Sequence, residues 1–176
     1  MSAEAATAWT PAGSPRARHY LPDLVYGAND GIITTFAVVS GVVGASLSES
    51  VIIILGFANL VADGFSMGAS NYLARRSHSE EALADRRDAA RHGVVTVAGF
   101  VAAGVLPLVA YLLPLEPAVQ FLGATALTAT ALFSVGGARA FVTGRGVLRS
   151  GTEMLLVGSL AAAVAFAIGA FAATFA

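Results

Sequence analysis

Five apolar stretches, each about as long as a bilayer crossing, follow one another with only short polar connectors between them. They fall at about 24–45, 51–74, 92–113, 118–140 and 152–174. About 20 apolar residues in a helix cross a hydrocarbon layer of roughly 30 Å. Backbone polar groups in lipid must be paired within the segment, so such stretches form helices. Connectors this short make neighbouring helices antiparallel. The expected fold class is an all-α integral membrane protein with five transmembrane helices. Composition agrees: 56% of the 176 residues are hydrophobic, only 12% are charged, and the mean hydropathy is +0.74. Soluble domains carry nearer 25% charged residues. There is no cysteine, which excludes disulfides and thiolate metal sites.

Residues 1–22 are rich in Ala, Pro and Ser and lack an apolar core, so they read as a disordered cytoplasmic tail and not as a signal peptide. Pro22-Asp23 marks the expected start of the first helix and of a single transmembrane domain over 23–176. A short cytoplasmic connector is expected at 75–91. Pro107 inside the third stretch predicts a kink and a freed carbonyl. All ten basic residues are arginines, and five alternating crossings place every one of them on the same side. The opposite connectors carry only Glu49 and Glu116. The positive-inside rule then predicts a cytoplasmic N-terminus and a C-terminus outside. The expected location is a bacterial cytoplasmic membrane, or a vacuolar membrane in a eukaryote.

Asp63 lies midway along the second stretch. A charge at the bilayer centre costs from roughly 3 to above 10 kcal/mol, so an acid there points to function. Asn59, Asp63, Ser66, Met67 and Ser70 recur at helical spacing and form one stripe of amide, carboxylate, hydroxyl and thioether groups. A seam of small and polar residues between packed helices is the alternative reading, but such a seam needs no carboxylate.

The first stretch carries a second acid, Asp30, about two turns in from the arginine-bearing end. Thr34 follows one turn later on the same face. An interfacial aspartate reaching toward headgroups is the alternative here. Gly27 and Gly31 form a small-xxx-small pair that allows close approach by another helix. Carboxylate and amide oxygens suit hard divalent ions, and the Met67 thioether tilts the preference toward Fe(II) or another transition metal. A carboxylate ionised when it holds metal and protonated when empty couples metal movement to protons. These residues therefore predict metal export in exchange for protons, with Asp30, Met67, Asp63, Asn59 and Thr34 as the metal-site candidates.

If the connector is helical, His78, Glu81, Asp85, Asp88 and His92 fall within about 80° of one another on its surface. Such a strip suits shallow metal collection, and a solvated face stitched by arginine–acid pairs is the competing reading. Glu153 is expected to complement the dipole at the start of the fifth span. Tyr20, Tyr26, Tyr72 and Tyr111 are expected at the membrane interfaces. There is no nucleophile elbow, no phosphate-cradling glycine loop and no zinc-spaced His/Cys cluster, so neither an enzyme nor a bound cofactor is expected. Basic segments without interleaved aromatics make nucleic acid an unsuitable partner.

Three segments carry a resemblance to a known family. They are Asp30-Gly31-Ile32-Ile33-Thr34-Thr35-Phe36-Ala37-Val38-Val39-Ser40-Gly41, then Ala58-Asn59-Leu60-Val61-Ala62-Asp63-Gly64-Phe65-Ser66-Met67-Gly68-Ala69, and finally Leu132-Phe133 through Thr143-Gly144-Arg145 to Leu148-Arg149-Ser150. Over about 20–174 the chain resembles the vacuolar iron transporter family, whose members move Fe(II) and Mn(II) out of the cytosol. The resemblance implies five spans, a homodimer, and an ion path at the subunit interface lined by the first two spans. Asp30 and Met67 would line that path, and Gly27 and Gly31 would suit packing of span 1 near its dimer mate. Eukaryotic members have a long cytoplasmic metal-binding helical domain where this chain has only its short connector. Many members also have a glutamate at the position of Asn71. The expected partners are the lipid bilayer, a divalent metal ion as cargo, protons and a second copy of the chain. A non-transporting membrane scaffold or partner-binding subunit on the same fold is the alternative, as is a transporter of another solute.

Overall fold

The structure is a computed structural model that describes residues 15–77 and 83–175. Every long element among the described residues is a helix: α1 (Pro15–Gly44), α2 (Glu49–Ser77), α3 (Leu83–Gly104), α4 (Leu106–Val109), α5 (Pro117–Thr143) and α6 (Val147–Ala172). A short 3₁₀ turn, Ala110–Leu112, follows α4.

Helix α1 is the axis of the bundle. It packs against α2, α3, α4, α5 and α6, while α2 lies against α3 and α1, away from α5 and α6. Its buried positions include Ile32, Thr35, Phe36, Val39 and Ser40. Two core clusters flank it: Phe36, Val39 and Val42 meet Ile52, Leu108, Tyr111 and Ala124, whereas Ile32 meets Ala131, Leu132 and Met154.

Glycines set how closely these helices approach. A Cβ at Gly27 would strike the Thr96 carbonyl, and one at Gly31 the Phe100 carbonyl. From the other side, a Cβ at Gly104 would lie 2.7 Å from the Gly31 carbonyl oxygen. Gly27 and Gly31 thus seat α1 on α3 of the same chain, which corrects the expectation that they pack near a dimer mate: the backbone of α3 already fills the space beside them. The contacts Gly27–Thr96 and Gly31–Phe100 advance together, so α1 and α3 run parallel. Ile32 clusters with Met154, whereas Gly41 and Gly44 lie against Ala165 and Phe166, so α6 is parallel to α1. Gly68 meets Gly93 while Gly64 meets Phe100, so α2 and α3 are antiparallel.

Four helical segments are long and apolar enough to cross a membrane: Glu49–Ser77, Arg86–Leu112, Pro117–Phe141 and Val147–Ala172. With 30 residues α1 has the length. It falls outside that group because Asn29, Asp30, Thr34, Thr35 and Ser40 dilute its apolar content. The helix that packs against all the others thus carries polar groups within its apolar stretch.

Two local expectations change. Helix α1 begins at Pro15, ahead of Pro22, which lies inside it. Proline is tolerated in a first turn, and at an internal position it removes one backbone hydrogen bond. Tertiary contacts of His19 and Tyr20 with α3 hold this early turn in place. At the other end, Ser46 takes the left-handed conformation (φ 55°), and the Leu47 N–H donates to the Val42 carbonyl at 3.1 Å. That closes α1 with a Schellman-type turn in which serine stands where glycine is usual. Both flanking helices extend into the expected connector, α2 to Ser77 and α3 from Leu83. The third span breaks at Val105, beside Pro107, and continues as α4.

Tyr111 is buried in the core and does not face an interface. Glu153 lies beyond the first turn of α6, where it stands 3.2 Å from Arg149, 3.4 Å from Arg145 and 3.9 Å from Arg139. Its role is to gather three arginines, not to complement a helix start. Contacts of Arg75 with Asp23 and a shared pocket joining Tyr26 to Arg139 and Thr143 bring the arginine-bearing helix ends to one end of the bundle.

Candidate functional site

Asp30 comes from α1 and Asp63 from α2, two helices that pack on each other. The buried stripe of α2 is Ile52, Gly56, Leu60, Gly64 and Gly68, which lies on α3 and α1. Asn59, Asp63 and Met67 each precede one of these residues, so they run along the edge of that stripe. All three are half-buried, as are Asp30 and Thr34. Ser66 and Ser70 are exposed. The Thr34 hydroxyl donates to the Asp30 backbone carbonyl at 2.9 Å, leaving its oxygen lone pairs free to face a ligand. The Asn59 amide nitrogen is buried with no hydrogen-bond partner among the described residues. A buried donor without an acceptor is costly, so a polar group belongs beside it. The edge shared by α1 and α2 therefore offers carboxylate, amide, hydroxyl and thioether groups on one half-open side of the protomer.

A second polar cluster joins α1, α2 and α3 at the arginine-bearing end. His92 is 1% exposed and donates its Nδ1–H to Asp23 at 2.6 Å. Asn71 donates from its amide nitrogen to Asp23 and to the Thr96 hydroxyl, both at 2.7 Å. Arg75 donates to the Asn71 amide oxygen at 3.0 Å and to Asp23 at 3.2 Å. Asp23 lies just ahead of the apolar part of α1. Burial pushes its carboxyl up, but the hydrogen bonds from His92 and Asn71 and the Arg75 charge outweigh burial and hold it below its ordinary value of 3.8. Further out, His92 Nε2 stands 3.0 Å from His19 Nε2, and the Tyr20 hydroxyl donates to Asp88 at 2.8 Å.

Of the strip drawn on the connector, Asp88 and His92 share this cluster. His78, Glu81 and the Asp85 side chain lie outside the described residues. In the sequence alone Asp23 reads only as a helix start and His19 as part of the tail. Their spacing to Asp30 on one helix was the available signal, with His19 and Asp23 a single turn apart.

A sequence profile of the VIT family matches residues 21–92 and 80–170, nearly the whole described chain. The chain belongs to the VIT family. It is 41% identical over 70 residues to a vacuolar iron transporter of Plasmodium berghei, a match covering 40% of this chain and 26% of that protein. It is 24% identical over 208 residues to vacuolar iron transporter 1 of Arabidopsis thaliana, covering 83% of each. To vacuolar iron transporter homolog 1 of Oryza sativa subsp. japonica it is 29% identical over 170 residues, covering 85% of this chain and 72% of the relative. The chain thus spans about a quarter of the length of the Plasmodium berghei relative, and most of the length of these two plant relatives. Family membership and the apolar helices together make it an integral membrane protein.

Proposed function

We propose that this chain is a metal-ion transporter and not an enzyme, moving Fe(II) or Mn(II) out of the cytoplasm in exchange for protons along the Asp30–Asp63 edge of α1 and α2. The placement of a half-buried carboxylate on each of two neighbouring helices inside the apolar bundle carries the reading. Two acids that repel one another hold a divalent cation well and hold protons when it leaves. Met67 supplies a soft ligand and Thr34 an oxygen, and the unpartnered Asn59 amide supports a further polar contact there. Vacuolar iron transporters among the relatives point to iron as cargo.

In this reading α1 is also a span, the first of five. It runs parallel to α3 and α6, as alternate spans must. The arginine-bearing end faces the cytoplasm by the positive-inside rule, with the C-terminus outside. A second copy covers the half-open edge, so that the path lies between two protomers. The apolar outer side of α2, with Ile54, Val61 and Phe65 about two-thirds exposed, faces lipid or that copy.

Proteoliposomes test this. With an imposed pH gradient, the purified chain should accumulate Fe(II) and Mn(II), and Asp30→Ala and Met67→Ala should each cut the rate about tenfold or more. Unchanged flux in both variants would remove the pathway assignment. An intact chain that moves neither metal would favour a scaffold on the same fold.

A further inference from the structure

We propose that His19, Asp88 and His92 form a binding site for one divalent transition-metal ion, at the arginine-bearing end of the bundle and separate from the Asp30–Asp63 edge. The site bridges α1 and α3. It lies about 16 Å along α1 from Asp30, counting 11 residues at 1.5 Å each.

The geometry of three atoms makes the case. His19 Nε2 and His92 Nε2 are 3.0 Å apart, His19 Nε2 and Asp88 Oδ2 are 3.2 Å apart, and His92 Nε2 and Asp88 Oδ2 are 3.4 Å apart. Zinc-like ions bind imidazole nitrogen and carboxylate oxygen at about 2.0–2.2 Å. Three such ligands on one ion stand about 3.3–3.4 Å apart if it is tetrahedral and about 3.0 Å apart if it is octahedral. The observed triangle lies within that range on every edge. A His19 Nε2–H shared between His92 Nε2 and Asp88 Oδ2 would explain two edges; a common metal centre accounts for all three.

The surroundings prepare these ligands. His92 is fully enclosed, and its Nδ1–H is fixed by Asp23 at 2.6 Å, which turns its Nε2 lone pair toward the other two groups. Asp88 gives one carboxylate oxygen to the triangle, while the other accepts the Tyr20 hydroxyl at 2.8 Å. A carboxylate behind a ligating histidine and a donor behind a ligating carboxylate are the usual outer partners at metal sites. Two imidazoles and one carboxylate favour Fe(II), Co(II) or Zn(II) over Mg(II) or Ca(II), which prefer oxygen alone. Three protein ligands leave at least one position for water, so the ion exchanges with solution. His19 and Asp88 have side chains 53% and 41% exposed, which gives it a way in.

Cobalt(II) is the probe. The full chain, purified in detergent and stripped of metal, is titrated with Co(II) while its visible d–d absorption is followed. One equivalent with a nitrogen-coordinated spectrum is expected. His19→Ala and Asp88→Asn, both at partly exposed positions that leave the core intact, should weaken binding tenfold or more. Asp30→Ala should leave this spectrum and its affinity unchanged, whatever that variant does to transport. No such spectrum in the intact chain, a His19→Ala titration indistinguishable from the intact chain's, or loss of the spectrum in Asp30→Ala would each overturn the site.

Discussion

The His92 imidazole, on the third helix, is locked to the Asp23 carboxylate, on the first, by a 2.6 Å hydrogen bond inside the bundle. Asn71 and Arg75 of the second helix reach the same carboxylate. One acidic side chain therefore ties three helices together at the end where the chain enters the apolar bundle. Asp23→Ala leaves a buried N–H on His92 and an amide on Asn71 without their acceptor. A loss of about 2–3 kcal/mol is expected, less than for a fully enclosed ion pair because Arg75 is partly exposed. Thermal unfolding in detergent, compared with the intact chain, measures it.

The same carboxylate makes stability depend on acid. Its folded value lies below the ordinary 3.8, so the unfolded chain binds the proton more readily. The stabilisation it contributes is fully present above that ordinary value and is lost as pH falls through the lower folded one. His92 from α3 and Asn71 and Arg75 from α2 face the group and share in the loss. Melting temperature measured from pH 6 downward should drop more steeply below about pH 4 in the intact chain than in Asp23→Asn, which has no proton to take up there.

The geometry of Asn71 shows what its amide does. It donates twice, to Asp23 and Thr96, and accepts once, from Arg75. A carboxylate has no N–H to give and would face Asp23 with like charge. Asn71→Asp should therefore destabilise by about 1–3 kcal/mol, and lowering the pH toward 4 should recover part of it as the new acid protonates. Equal stability of the two chains at pH 7 would refute this account of the amide.

Gly31 is where the first and third helices touch most closely. Gly31→Ala forces its methyl into the Phe100 backbone, which has no rotamer to escape by, and should cost about 1–3 kcal/mol. Gly146→Ala, in open space with φ −66°, should stay within about 0.5 kcal/mol of the intact chain. The contrast, read by thermal unfolding, separates close packing from a general dislike of added methyl groups.

Asp63 and Asp30 can be separated by transport. If Asp63 carries the proton, Asp63→Asn should still admit metal down its own gradient but lose most of the acceleration given by a pH gradient. Fe(II) or Mn(II) flux in liposomes at two external pH values decides it. A variant that responds to the gradient as the intact chain does would return Asp63 to a purely ligating or structural role.

The apolar stretches and the two acids within them were legible in the sequence because lipid imposes a length and a penalty that single segments must meet. The Pro107 break and the grouping of arginines followed from equally local rules. Tertiary structure alone decided what Gly27 and Gly31 touch, since a small residue announces a close neighbour without naming it. It also decided that the Asp30 and Asp63 edges meet, that Tyr111 turns inward, and that Glu153 gathers arginines. Above all, it joined His19 and Asp23 to Asp88 and His92 across some 70 positions of chain, a contact set by the register of two parallel helices. Periodicity describes one helix face at a time. The metal chemistry inferred here arises where faces of different helices close on one another, and only packing fixes that.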